Sequence, residues 1–149
     1  GIIVEGLSNC LVKFSKCCSP VPGDDIVGFI TRGYGVSVHR SDCPNVLRSR
    51  DNPAEAGRWI RVSWAEKTGE EYHTLLQIVA KDRISLIVDV STVLSATKTR
   101  VLSLNARSTP DGFALLDLGI EVGGRDQLKT VMSRLEQIQG VMKVTRPAG

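Results

Sequence analysis

Leu116-Asp117-Leu118-Gly119-Ile120-Glu121-Val122 alternates apolar and polar positions without a break. Successive side chains of a strand point to opposite faces, so Leu116, Leu118, Ile120 and Val122 share one face. Asp117, Gly119 and Glu121 share the other, and the run reads as a half-buried strand. Just before it, Thr109-Pro110-Asp111-Gly112 is a turn, since Pro fixes φ and Gly supplies a positive φ. Further back, Val101-Leu102-Ser103-Leu104-Asn105-Ala106 alternates as a second strand. Leu86, Ile87, Val90, Val93 and Leu94 fall on one face of a helix, and Thr74 to Ala80 is a strand that stops at Lys81-Asp82. On the other side, Gly123-Gly124 breaks the decisive strand. A second amphipathic helix carries Leu128, Val131, Met132, Leu135 and Ile138, Gly140 ends it, and Val141 to Thr145 is the closing strand. The order is βαββαβ, the split-βαβ ferredoxin-like plan, in which two helices with one apolar face each cover one side of four strands. About 75 residues suffice for such a core.

The first half is richer in turns. Pro20-Val21-Pro22-Gly23-Asp24-Asp25 is a rigid turn leading into a strand at Ile26 to Thr31. Arg32-Gly33-Tyr34-Gly35 is a tight loop, and Val36 to His39 resumes a strand. Ser41 or Asp42 can cap a short helix with Pro44 in its first turn, running through Val46 and Leu47. Trp59 to Trp64 alternates as one more strand, with Ile60, Val62 and Trp64 on one face. The polar stretch Ala65 to Glu71 is the natural boundary, which divides the chain into modules 1–66 and 67–149. The expected fold class is α+β: a small cysteine-bearing α/β module followed by a ferredoxin-like domain.

Composition is that of an ordinary globular chain, with 42% hydrophobic and 23% charged residues. The charge of +3 is spread evenly, with 8 Lys/Arg against 7 Asp/Glu in residues 1–66 and 11 against 9 in residues 67–149. A free-standing nucleic-acid binder usually shows a stronger basic bias, so charge by itself does not argue for RNA contact. No apolar run reaches the roughly 18–20 residues that span a bilayer, and the start lacks the basic region of a signal peptide. The expected compartment is the cytoplasm. Cys10, Cys17, Cys18 and Cys43 all lie in the first third, a clustering that points to metal or thiol chemistry rather than to a disulfide framework.

Cys17, Cys18, His39 and Cys43 offer the soft and borderline donors that a structural zinc ion takes. His39-x₃-Cys43 has suitable spacing where a strand enters a helix. Adjacent residues on a strand face opposite ways, so Cys17 and Cys18 can share one ion only if the backbone bends there. The alternative is one core cysteine, one surface thiol and a hydrogen-bonded histidine. Cys43 with His39 can also be read as a nucleophile and base, but no oxyanion-hole motif accompanies them. Cys10 has no partner motif and reads as a small buried residue.

At Lys16-Cys17-Cys18-Ser19-Pro20-Val21-Pro22-Gly23-Asp24-Asp25-Ile26-Val27-Gly28-Phe29-Ile30-Thr31, continuing with Gly33 to Asn45, the chain closely resembles the C-terminal region of the long RelA/SpoT-type proteins. These synthesise and hydrolyse the stringent-response alarmone (p)ppGpp. In that family a zinc-finger or ribosome-intersubunit domain precedes a C-terminal ACT domain, also called RRM-like. The resemblance implies a non-catalytic regulatory fragment that contacts the ribosome and tRNA and controls the catalytic domains of its parent, a GTP pyrophosphokinase, a (p)ppGpp hydrolase or both. It also implies that the cysteine module touches ribosomal RNA. Arg32, Tyr34 and Arg40 are then the first candidate contacts, followed by Lys13, Lys16 and Arg48, because Arg grips phosphate and Tyr stacks on exposed bases. Many ACT domains bind an amino acid at the first strand–helix junction. Here that is Asp82, Arg83, Ile84, Ser85 and Leu86, with Asn105 as a further polar group and a branched-chain amino acid as the ligand. The family pattern usually has Gly where Ser85 stands, and losing it restricts how closely the backbone approaches a ligand. ACT domains also pair side by side, so a homodimer through an exposed edge strand is a further expectation.

Overall fold

Short apolar runs separated by turns build the N-terminal half of the protein. The computed structural model describes residues 1–7, 10–33, 35–65 and 69–148. The chain folds as two units, the first Gly1–Glu70 with Ala148–Gly149 and the second Glu71–Pro147. The boundary expected at residues 66 and 67 lies outside the described residues.

In the first unit the strands are β1 (Ile2–Val4), β2 (Leu11–Phe14), β3 (Ile26–Ile30) and β4 (Gly35–Arg40). Helix α1 (Pro44–Arg50) and a 3-10 turn at Ala56–Arg58 follow, then β5 (Trp59–Ile60) and β6 (Val62–Trp64). A four-stranded sheet has the order β2-β4-β3-β5, with β2 parallel to β4, and β1 pairs with β6 in a separate ribbon. Val36 and Val38 on one face of the sheet pack with Val4 and Val62 of the ribbon. Gly28 makes this approach possible, because a Cβ there would lie 2.8 Å from methyls of both Val36 and Val62.

Two expectations change here. Trp59 to Trp64 is not one strand: Trp59–Ile60 pairs with β3, whereas Val62–Trp64 pairs with β1. The chain switches partners at Arg61 because β1, sixty residues earlier, supplies a second edge that no local pattern reveals. The N-cap of α1 is Cys43 rather than Ser41 or Asp42, and it makes no side-chain cap bond. Its sulfur is directed elsewhere.

The second unit runs β7 (Tyr72–Lys81), α2 (Leu86–Ala96), β8 (Arg100–Ser108), β9 (Phe113–Val122), α3 (Arg125–Glu136) and β10 (Val141–Thr145). This is the expected βαββαβ order, with an antiparallel sheet β10-β7-β9-β8. Leu116, Leu118, Ile120 and Val122 are fully buried, together with Leu76, Ile78, Val90, Leu128, Val131 and Leu135. Each such side chain contributes about 1.5–3 kcal/mol by leaving water, so the central strand pair and its two helices make the core. β8 is an edge strand exposed along its whole length. No helix among the described residues is long and apolar enough to cross a membrane.

Candidate metal centre

Three elements converge on one point of the first unit. β4 carries His39, the turn after it delivers Cys43 to the start of α1, and a turn after β2 carries Cys17 and Cys18. The Ser19 amide donates to Ser15 O at 2.9 Å, which wraps residues 15–19 into one helical turn, and Ser19 itself has φ of 46°. On such a turn neighbouring side chains diverge by roughly 100° rather than 180°, so both cysteines reach the same side. The bend that the sequence requires is present.

The four donor atoms lie within 4.8 Å of one another. Cys17 Sγ is 3.4 Å from His39 Nδ1, 3.6 Å from Cys43 Sγ and 3.9 Å from Cys18 Sγ, and Cys18 Sγ is 3.9 Å from His39 Nδ1. Zinc bonds of about 2.3 Å to sulfur and about 2.0–2.1 Å to nitrogen place tetrahedral ligands roughly 3.8 Å (S···S) and roughly 3.5 Å (S···N) apart. Those four spacings are close to the edges of a zinc tetrahedron, and the remaining pairs lie within 4.8 Å. The sulfurs are too far apart for disulfides, and all four cysteines are free thiols.

Surrounding bonds fix the set. Ser15 Oγ lies 2.9 Å from Cys17 Sγ, and the Arg40 amide donates to Cys18 Sγ at 3.3 Å. Cys18, Cys43 and Val46 form a small buried core against which Cys17, Val27 and Trp59 pack. Burial by itself raises the Cys17 thiol, but hydrogen bonds from Ser15, Asn45, Cys43 and Cys18 outweigh it and hold the thiol below its ordinary value. Burial pushes Cys18 up to about 12, only partly opposed by the Arg40 amide. Burial also lowers His39, favouring the neutral imidazole that ligates. A buried thiol held protonated beside two others is the environment that a cation inverts, because coordination deprotonates thiols outright. The Cys₃His donor set fits a structural zinc ion, and all four positions come from protein, with no open site for catalysis. Cys10 lies apart, against the ribbon core.

The candidate RNA contacts are placed unequally. Lys13, Lys16, Arg32 and Arg48 are exposed, the last bonded to Asn45 Oδ1. Tyr34 lies outside the described residues. Arg40 does not belong with them: its side chain is 9% exposed and its Nε donates to Asp42 Oδ1 at 3.0 Å. Position on the strand beside His39 turns it inward, so it braces the turn to Cys43 instead of facing solvent.

The candidate amino-acid loop is held by hydrogen bonds to its neighbours. Ile84 is 93% exposed, while Leu86 is buried in the core. Arg83 bonds Gln139 O at 3.0 Å, Ile84 O at 3.1 Å and Asp89 Oδ2 at 2.6 Å. Asp82 donates its amide to Gly112 O. Ser85 is the residue before α2 and sits at φ of 71°, the left-handed region that suits Gly. Asn105 pairs across β8 with Asp117, on the sheet face opposite to buried Leu116 and Leu118. It is therefore on the other side of the sheet from the helix face and from this loop.

A thiol-rich α+β module with a Cys₃His centre, followed by a ferredoxin-like domain, is the class that fold and site define. Residues 2–65 match the RelA/SpoT RIS domain family and residues 68–146 the ACT domain family. The chain belongs to the RelA/SpoT-type family, as a RIS domain followed by an ACT domain. It is 37% identical over 149 residues to a GTP pyrophosphokinase of Escherichia coli K12, covering 99% of this chain and 20% of that protein. It is 38% identical over 146 residues to a GTP pyrophosphokinase of Streptomyces coelicolor, covering 98% and 17%. It is 37% identical over 146 residues to the bifunctional (p)ppGpp synthase/hydrolase RelA of Mycobacterium tuberculosis, covering 98% and 19%. The chain thus spans about a fifth of these relatives, in their C-terminal part. Among solved structures, the ACT domain from GTP pyrophosphokinase of Chlorobium tepidum is 27% identical with a TM-score of 0.47, over 52% of this chain and 99% of that one.

Sequence reading missed Phe29, Trp59 and Arg58. The Arg58 guanidinium lies over the Phe29 ring, and Trp59 stands edge-on to both Phe29 and His39. The available signal was Phe29 two positions after Val27 on a strand, sharing a face with it. The pairing to Trp59 had no local signature.

Proposed function

We propose that this chain is the non-catalytic regulatory part of a cytoplasmic alarmone enzyme, in which the RIS domain contacts ribosomal RNA and the two domains report tRNA status to the catalytic domains. The observation that carries this reading is the co-linear match of both domains, in that order, to GTP pyrophosphokinases. Zinc held by Cys17, Cys18, His39 and Cys43 would tie the β2 turn, β4 and α1 into one rigid body. That body presents Lys13, Lys16, Arg32 and Arg48 to phosphate. With Arg40 committed to Asp42, these exposed cations make the contact set. Cosedimentation with ribosomes tests it: the triple change Lys13→Glu, Lys16→Glu, Arg32→Glu should abolish binding at moderate salt. Unchanged binding contradicts the assignment.

A branched-chain amino-acid ligand gains no support from the loop geometry, because Arg83 is engaged and Ser85 occupies the position where Gly would admit a ligand. Calorimetric titration with leucine, isoleucine and valine should give no heat. Homodimer formation through β8 has more support, since Val101, Leu102 and Leu104 are 43%, 46% and 39% exposed on an edge strand.

A further inference from the structure

The sheet of the first unit has two unlike faces. One is filled by the β1–β6 ribbon. On the other, a single cross-strand row runs through all four strands: Lys13 on β2 pairs with Ser37 on β4, Ser37 with Phe29 on β3, and Phe29 with Trp59 on β5. The neighbouring row, with His39 and Val27, lies at the cysteine centre, and Trp59 also packs against that centre. Phe29 and Trp59 are half-buried, 4.7 Å apart between centroids at an interplanar angle of 60°. The Arg58 guanidinium lies 4.5 Å from the Phe29 centroid, and its Nε donates to Ile30 O at 2.9 Å.

We propose that Phe29, Trp59 and Arg58, with Lys13 at the far end of their row, form a stacking site for an unpaired RNA base. The site rests on the ribosome-contact reading and names the part of the RNA it would grip. Arg58 is held over a ring by a backbone bond, so little rotamer freedom remains to be lost when a base stacks on its outer face. The cross-strand row has one charged member, the cation Lys13, and the residue lying over it, Arg58, is a cation too. Glu55, which precedes the 3-10 turn, is engaged by Ser49 Oγ. A partner for two planar rings and two cations carries negative charge and a flat π face, which describes a single-stranded nucleotide. A duplex hides its base faces and has no means of using the rings.

The test uses the whole chain with a fluorescein-labelled oligoadenylate RNA and, as a control, a duplex of the same length, read by anisotropy. The single strand should bind in preference to the duplex. Phe29→Leu removes the ring beneath Arg58 and should weaken single-strand binding by about 2- to 5-fold, the range of one exposed cation–π contact. Arg58→Lys keeps the charge but not the plane and should weaken it in the same direction, whereas Lys13→Gln should chiefly reduce the salt dependence. If Phe29→Leu fails to fold, as judged by near-UV circular dichroism, Arg58→Lys carries the test. Unchanged affinity in Arg58→Lys, or duplex binding equal to single-strand binding, overturns the proposal. So does a pair of variants that bind oligoadenylate normally yet lose ribosomes, which would assign the surface to a ribosomal protein. Wild-type chain that binds ribosomes but no oligoadenylate refutes the stacking site alone. Chain that binds oligoadenylate but no ribosomes supports the stacking site and refutes the ribosome reading.

Discussion

Ser85→Gly should stabilise the second unit. Ser85 sits at φ of 71° and ψ of 4° before α2, makes no side-chain cap bond and is exposed. Nothing favourable is lost when its side chain goes. A left-handed conformation costs a non-glycine residue about 1–2 kcal/mol, and Gly returns roughly 0.5–1 kcal/mol of that through its greater freedom when unfolded. The expected gain is about 0.5–1 kcal/mol, and for a unit of this size each kcal/mol moves Tm by about 4–8 °C. The transition of the second unit should therefore rise by about 2–8 °C in thermal unfolding followed by circular dichroism. Gly140→Ala provides the opposite sign in the same unit. Gly140 has φ of 90°, and a Cβ there meets nothing nearer than 3.7 Å, so its cost is purely conformational. A fall in Tm for Ser85→Gly, or no change in either variant, would refute the backbone reasoning.

Other outcomes follow from single contacts. Gly28→Ala should destabilise the first unit by about 1–3 kcal/mol in urea, because the new methyl meets Val36, Val62 and Ile60 at 2.8 to 3.0 Å in a filled core; no loss would mean that the ribbon does not pack there. Cys10→Ser should leave metal content unchanged, since Cys10 is outside the four-donor group, and a loss measured by atomic absorption would disprove that separation. Arg83→Ala should speed hydrogen exchange at residues 82–86 while costing at most about 1 kcal/mol overall, the pair with Asp89 being partly exposed.

The second unit was legible because its strands announce themselves locally. Leu116, Leu118 and Ile120 alternate, and their burial follows from the pattern alone. The first unit was legible only in pieces. Ile2–Val4 finds its partner in Val62–Trp64 far along the chain, and no periodicity encodes that pairing. The donor residues of the metal centre could be named from chemistry and spacing, but the turn that brings Cys17 and Cys18 together depends on a positive φ at Ser19, a residue type that gives no warning of it. Arg40 illustrates the reverse case. Its residue type suggests a surface contact, yet the strand register turns it into the protein.

Metal analysis of the chain purified without chelator, paired with Cys18→Ser, addresses the central claim most directly. Cys17, Cys18, His39 and Cys43 predict a single equivalent of zinc in the wild type, released by strong chelator together with loss of the first unit's cooperative unfolding, and near-absent in Cys18→Ser. Metal-free wild-type protein that unfolds identically with and without added zinc would contradict the account.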